Sequence, residues 1–178
     1  MEFDEIVKSR RSARNFTGEH VANKDIEKIL YSASLAPSAK NRQPWKFYIL
    51  SDEQKQHIMN MLFEWDKQNR RERTSVKGTA EQIETADKMI MIYSDTKKEP
   101  YKKPDYISLG CAIENMSLEA VNLGLGSCIL CDTLYIDKEI DDYLGVQDLE
   151  QICGFIIGKP IYNYPKKPRK DLKELLIN

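Results

Sequence analysis

The chain has 178 residues, with 27 Lys and Arg against 28 Asp and Glu, which gives a net charge of −1. This balance argues against non-specific electrostatic binding of nucleic acid along the whole chain, because domains that bind the phosphate backbone are usually strongly basic. Hydrophobic residues make up 41% of the chain, which is enough for one ordinary core, so we expect a single domain over residues 1–178. The longest apolar run, residues 89–93, is far shorter than the about 20 residues that a membrane-spanning helix needs.

The N-terminal residues and the cysteines indicate the cellular compartment of the protein. Residues 1–5 are acidic and amphipathic, whereas a secretory signal begins basic and then becomes apolar, so we expect a cytoplasmic protein with reduced thiols. Cys128 and Cys131 form a single C-x-x-C within a segment typical of a strand. A metal site usually has a second such pair or nearby histidines, and a redox pair usually begins a helix. We therefore expect no metal and buried structural thiols.

Hydrophobic periodicity predicts short helices alternating with strands. Helices are expected over residues 2–9, from near Asn23 (as an N-cap) to before Pro37, over 52–70, in a segment ending near residue 86, over 106–123 and over 137–144. Strands are expected over 45–50, 89–93, 127–130 and 151–157, whereas 70–79 has no clear pattern and 95–103 is typical of a polar loop. Such an alternation indicates an α/β or α+β sandwich, in which helices cover a central sheet.

The segment after the first predicted helix is a candidate anion site. Arg10, Arg11, Ser12 and Arg14 lie within five residues of one another. Arginine donates hydrogen bonds in a planar fork that matches phosphate oxygens, and serine adds a small donor. On composition alone, a solvated basic loop is the favoured interpretation of this segment.

Two other segments carry polar or cationic groups. The 36–45 segment holds Ser38, Asn41 and Gln43 between two prolines, and Asn and Gln amides can contact the edge of a planar heterocycle. Near the C-terminus, Lys167 and Arg169 are two residues apart, so an extended backbone would point them in the same direction. Alone, each segment is adequately explained as a polar connection or a solvated tail. Together, the two cationic segments predict one phosphate held from both sides.

Other catalytic motifs are missing from the sequence. It contains no G-x-S-x-G, no P-loop and no G-x-G-x-x-G, and its two histidines, His20 and His57, are isolated. A chain without an evident acid, base, nucleophile or metal site can still be an enzyme when a cofactor carries the reaction.

Four segments, taken in order, resemble the nitroreductase family of FMN-dependent oxidoreductases. They are RRSARNF at 10–16, APSAKNRQPWKF at 36–47, SLGCAIENMSLEAVNLGLGSC at 108–128 and GKP…KKPR between 158 and 169. The resemblance spans nearly the whole chain. It implies a nitroreductase-like α+β fold with a mixed sheet covered by helices, and an intertwined homodimer with FMN at the interface.

The resemblance also implies roles for individual residues. Arg10, Ser12, Lys167 and Arg169 would hold the FMN phosphate, and Arg14 would lie beside N1 and O2 of the flavin. The partner's flavin would be reached by Pro37, Ser38, Ala39 and Asn41, and the ring would lie near Gly126, Ser127 and Cys128. Arg11 and Gln43 are also expected to bind the cofactor. Where many members have an Asn and a Lys, this chain has Thr79 and Gln82. The 64–105 region, with Trp65, Arg70, Arg71, Arg73 and Tyr101, is expected to shape the substrate mouth.

The implied reaction passes a hydride from NADH or NADPH through flavin N5 to an electron-poor acceptor such as a nitroaromatic or a quinone, with ping-pong kinetics. No side chain is expected to act as a nucleophile. Three alternatives stay open: a specialised flavin reaction such as dehalogenation or flavin breakdown, a non-catalytic FMN-binding or sensing protein, and a nucleic-acid binder that uses residues 69–73 with Trp65. Acidic residues interrupt that last patch, which favours a solvated helix end.

Overall fold

The computed structural model describes residues 1–69, 76–95, 102–161, 164–165 and 167–177. The helices are α1 (Phe3–Ser9), α2 (Asn23–Ser34), α3 (Asp52–Gln68), α4 (Val76–Thr85), α5 (Lys102–Asn122), α6 (Asp137–Leu144) and α7 (Leu172–Leu175). The strands are β1 (Trp45–Ile49), β2 (Lys88–Ser94), β3 (Gly126–Leu130) and β4 (Glu150–Gly158), and 3₁₀ turns cover Ala39–Asn41 and Asp132–Ile136. Among these helices, none combines the length and the apolar character needed to cross a membrane.

The four strands form one sheet in the order β1-β2-β4-β3, and helices cover both of its faces. This arrangement confirms the α+β class. The three named strand pairs are all antiparallel, so the mixed character expected of the sheet is limited, in the described residues, to an isolated parallel bridge between Ser12 and Ser127.

Strand β2 explains why residues 89–93 are continuously apolar. Met89, Met91 and Tyr93 pack on one face with α3, α4 and α6, whereas Ile90 and Ile92 pack on the other with α2 and α5. A strand that is buried on both faces does not alternate between apolar and polar residues.

Some predicted boundaries were wrong. Helix α2 does begin at Asn23, but its N-cap is Ala22, and no side chain caps it. Helix α5 begins at Lys102 rather than near residue 106. Pro104 does not prevent this earlier start, since it lies in the first turn, where the lack of an N–H costs no helical hydrogen bond. Gly124 follows α5 at φ 73°, the left-handed conformation in which a glycine commonly ends a helix.

Backbone contacts bring the start and the end of the chain together. The Ala13 amide donates to the Ser127 carbonyl (2.9 Å), and the Thr17 amide donates to the Lys159 carbonyl (2.9 Å). Phe16 forms an antiparallel bridge with Pro160. The segment after α1, residues 10–17, therefore lies between β3 and the residues that follow β4, and we call it the N-terminal loop.

Candidate functional site

A cavity of about 340 Å³ lies where the N-terminal loop meets the C-terminal tail. Both segments line it, with Arg10, Arg11, Ser12 and Arg14 from the loop and Tyr164, Pro165, Lys167 and Arg169 from the tail. We call it the cationic cavity, because five of these residues carry a positive charge and none carries a negative one. The structure thus brings together the two cationic segments that the sequence predicts to meet.

The arginines of the loop are only partly engaged by the protein. Arg10 Nε lies 3.4 Å from Glu114 Oε1, and an Arg14 terminal nitrogen donates to the Ser12 carbonyl at 3.4 Å. One Arg11 terminal nitrogen donates to the Lys8 carbonyl at 2.9 Å, yet Arg11 Nε is buried and has no hydrogen-bond partner in the described part of the chain. A buried, unpartnered guanidinium N–H is costly, and an anionic oxygen would satisfy it.

Tyr164 joins the tail to the N-terminal loop. Its hydroxyl accepts hydrogen bonds from the backbone amides of Arg14 (2.7 Å) and Asn15 (2.6 Å). This role was not predicted from the sequence, because it depends on a contact between residues 150 positions apart. The only signal in the sequence is an aromatic residue followed by a proline and then the basic run.

The start of β3 packs against the same loop. A Cβ on Gly126 would lie 2.6 Å from the Ala13 Cβ, which is too close for two carbon atoms, so only glycine lets the loop approach here. Ser127 bonds to Ala13 through its carbonyl, and Cys128 is buried beside the loop. None of the three lines the cationic cavity, although Gly126 and Arg11 both line a neighbouring cavity of about 390 Å³.

The loop of residues 37–44 has an unusual backbone. Lys40, Asn41 and Gln43 adopt positive φ values of 55°, 54° and 49° without any glycine. Such left-handed residues cost on the order of 1 kcal/mol or more each and cluster at functional sites. Asn41 and Gln43 are exposed, and no residue of this loop lines the cationic cavity of its own chain.

The four cysteines are free, but they are not equally buried. Burial raises the pKa of the Cys153 thiol to about 12 and raises the pKa of Cys128, which Arg14 and a hydrogen bond from Ser12 partly offset. Cys131 is exposed, which corrects the expectation that both thiols of the C-x-x-C are buried. The chain leaves β3 at this point, and the side chain turns to solvent.

We expect Ellman's reagent to modify Cys131 first, since its thiol is exposed, whereas burial limits access to Cys128 and Cys153 and raises their pKa values. Cys128 and Cys153 should react only after the protein is denatured. Mass spectrometry of the labelled peptides measures the order, and Cys131→Ser should remove the fast phase. A fast phase on Cys128 would contradict this reading.

The described part of the 64–105 region gives little sign of an open substrate mouth. Trp65 stacks on Tyr135 with ring centroids 4.7 Å apart, so its ring already has a partner within the fold. The Thr79 hydroxyl donates to Asp132 (2.7 Å), and the Gln82 side-chain carbonyl is buried without a hydrogen-bond partner in the described residues. The predictions for Arg70, Arg71, Arg73 and Tyr101 lie outside the described residues, as does most of the 69–73 patch.

Comparisons with a family model and with known proteins agree on the family that this chain is similar to. The model of the nitroreductase family matches residues 7–159. The chain is 26% identical to 4-nitrobenzoate reductase of Pseudomonas putida over 195 residues, covering 88% of this chain and 85% of that protein. It is 27% identical to mouse iodotyrosine deiodinase 1 over 199 residues, covering 99% of this chain and 69% of that protein.

Among solved structures, the fold is similar to that of an FMN- and NADPH-dependent nitroreductase, NfnB from Sphigopyxis, in a variant form. The TM-score is 0.85 at 20% identity, and the match covers 99% of this chain and 98% of that one. At this level of identity the likeness concerns the fold.

Proposed function

Because this chain belongs to the nitroreductase family and is therefore an oxidoreductase, we propose that it uses FMN to pass a hydride from NAD(P)H to an electron-poor acceptor. Nitroaromatics and quinones are the proposed acceptors. The 4-nitrobenzoate reductase of Pseudomonas putida supports the first of these classes.

The observation that carries the proposal is the cationic cavity. Guanidinium groups, a lysine and a serine hydroxyl form the donor set that a phosphate dianion needs, and both segments that line the cavity contribute to it. The unpartnered Arg11 Nε adds a donor that no protein oxygen satisfies in the described residues. These residues fit the phosphate of FMN.

We further propose that the site is shared in a homodimer. In this arrangement, Pro37, Ser38, Ala39, Asn41 and Gln43 contact the flavin bound to the partner chain. Two observations support it: the loop is strained, and its residues do not line the cavity of their own chain.

When bound, FMN supplies hydride acceptance and donation at N5. The protein then contributes binding, orientation and electrostatics, and the chemistry needs no side-chain nucleophile. Arg14 lies at the exposed side of the loop and would place a positive charge at the pyrimidine edge, where negative charge accumulates on reduction. The Ser127 carbonyl accepts the Ala13 amide and Gly126 leaves room for the Ala13 side chain, so the backbone directly before Arg14 packs close to the sheet.

The direct test is flavin binding followed by rapid kinetics. Purified protein should be yellow or should become so when FMN is added, and stopped-flow mixing with NADH and NADPH should bleach the flavin absorbance. Reoxidation by an acceptor panel then identifies the acceptor class, and parallel double-reciprocal plots would indicate ping-pong turnover. A colourless protein that cannot be reconstituted would refute the proposal, and a flavin that neither nicotinamide bleaches would indicate a non-catalytic flavin-binding protein.

Reductive dehalogenation is a second candidate, favoured by the match to mouse iodotyrosine deiodinase 1 along nearly the whole chain. An acceptor panel that includes 3-iodotyrosine separates the two candidates. Release of iodide at a rate above that of nitroaromatic reduction would favour the dehalogenase.

Replacement of Tyr164 by phenylalanine should loosen the tail from the loop. The variant leaves two backbone amides without the hydroxyl that accepts them, and each lost hydrogen bond is worth about 1 kcal/mol. We therefore expect FMN to bind about tenfold more weakly, because the two halves of the cavity separate more easily. Fluorescence titration with FMN measures the change. Tyr31→Phe, at an exposed tyrosine of α2, serves as the control, and equal affinities for both variants would contradict the role of Tyr164.

A further inference from the structure

Side chains of α5 help to hold the strained backbone of the 37–44 loop. Its three left-handed residues, Lys40, Asn41 and Gln43, lack the conformational freedom of glycine. Within the loop, the Asn41 amide donates to the Ser38 carbonyl at 3.0 Å, the Arg42 amide to the Ala39 carbonyl at 3.2 Å and the Gln43 amide to Ser38 Oγ at 3.1 Å. These contacts are internal to the loop and do not tie it to the rest of the fold.

The first two turns of α5 tie the loop to the rest of the fold. Arg42 forms a two-point ion pair with Asp105, in which Nε lies 3.1 Å from Oδ1 and a terminal nitrogen lies 2.8 Å from Oδ2. One turn later, Ser108 Oγ accepts the Ala39 amide at 3.3 Å and donates to the Pro104 carbonyl at 2.8 Å. The loop is therefore held at Ala39 and at Arg42, on either side of Lys40 and Asn41.

The two partners of this ion pair differ in burial, and the difference explains how Asp105 can hold the loop in place. The Asp105 side chain is fully buried and thus fixed by α5, whereas the Arg42 side chain is 29% exposed. A buried carboxylate needs a charged partner, so Asp105 draws Arg42 inward. Since Arg42 lies between Asn41 and Gln43, this contact sets the direction in which those two exposed side chains leave the loop.

We infer that Asp105 is a positioning residue: through Arg42 it holds the 37–44 loop in the conformation that presents Asn41 and Gln43 to the flavin. The inference rests on the proposed function, because it takes the flavin as the group that the loop contacts. A loop organised before binding loses less entropy when the cofactor arrives, which raises affinity.

The test compares Asp105→Asn with wild type, both as apoprotein and during FMN titration. Asn keeps the size of the side chain but loses the charge, so one contact to Arg42 can survive. We expect hydrogen exchange of the amides in residues 37–44 to accelerate in the apoprotein, while exchange in β2 and β4 stays unchanged. FMN affinity should fall about tenfold.

Two further variants keep the result interpretable. Arg42→Lys retains the charge but not the planar fork, and it should reproduce the faster exchange even if Asp105→Asn folds poorly. Asp25→Asn removes a carboxylate of a more exposed ion pair with Lys28 in α2, and it should change neither measurement.

The outcomes separate the two ideas. Faster loop exchange together with weaker FMN binding supports the inference. Unchanged loop exchange, or faster exchange with unchanged FMN affinity, overturns it while leaving the proposed function intact. Failure of the wild-type protein to bind FMN refutes the proposed function itself, whatever the loop exchange shows.

Discussion

Replacing Arg10 or Arg169 by alanine is expected to weaken FMN binding by about tenfold to a hundredfold, because each change removes a charge-assisted contact to the phosphate. The two residues line the cationic cavity from opposite ends of the sequence, so comparable losses in both variants would show that both segments bind the same group. Fluorescence titration of the apoprotein with FMN gives the dissociation constants. The wild-type affinity should also fall with added salt, and this dependence should be smaller in the variants.

A nearby lysine provides the control for charge alone. Lys170 follows Arg169 directly, is exposed, and is not among the residues that line the cavity. Lys170→Ala changes the net charge by the same amount, so its FMN affinity should stay close to that of the wild type. Unchanged affinity in both Arg10→Ala and Arg169→Ala would show that the phosphate binds elsewhere.

Alanine at Gly126 is expected to lower the free energy of unfolding by about 1–3 kcal/mol and to reduce FMN affinity as well. The added Cβ would lie 2.6 Å from the Ala13 Cβ and 3.2 Å from the Pro160 Cβ, and neither atom belongs to the flexible end of a side chain. The N-terminal loop must therefore move away from β3 and take Arg10–Arg14 with it. Urea denaturation and FMN titration measure the two effects.

The opposite result is expected at Gly78. This glycine lies within α4, and an added Cβ meets nothing within 4 Å, so Gly78→Ala should stabilise the protein by about 0.5–1 kcal/mol. Gly158→Ala should resemble Gly126→Ala, since its Cβ would lie 2.7 Å from a ring carbon of Phe16 in the same loop. A Gly126→Ala protein with normal stability and normal FMN affinity would contradict the dependence of the site on this close packing.

The best-predicted elements are those whose apolar residues pack against the core. Strand β2, a continuous apolar run, and helix α6, with apolar residues at helical spacing, both follow their predicted segments closely. Helix α4 was predicted only at its end, near residue 86, since Gly78 and Thr79 weaken the helical pattern at its start. The mixed sheet was wrong for the named strands, because pairing direction depends on chain crossovers that local sequence does not record.

Some residues of the candidate site could be recognised in the sequence, and others only in the structure. The charge pattern drew attention to the loop at Arg10 and the tail at Arg169, and the structure shows that both line one cavity, although each segment alone was better explained as solvated. Tyr164 and the pair of Arg42 with Asp105 could not be predicted, because each joins residues more than 60 positions apart. The left-handed backbone of the 37–44 loop was equally hidden, since no glycine marks it.

The joining of residues 10–17 with residues 159–169 has a consequence for protein synthesis. A ribosome makes Arg14 about 150 residues before it makes Tyr164, so the two halves of the cavity cannot meet until almost the whole domain has emerged. If FMN binds in this cavity as proposed, only chains that are complete through this tail can hold its phosphate from both sides. Nonsense or frameshift products that lack the tail should then be colourless.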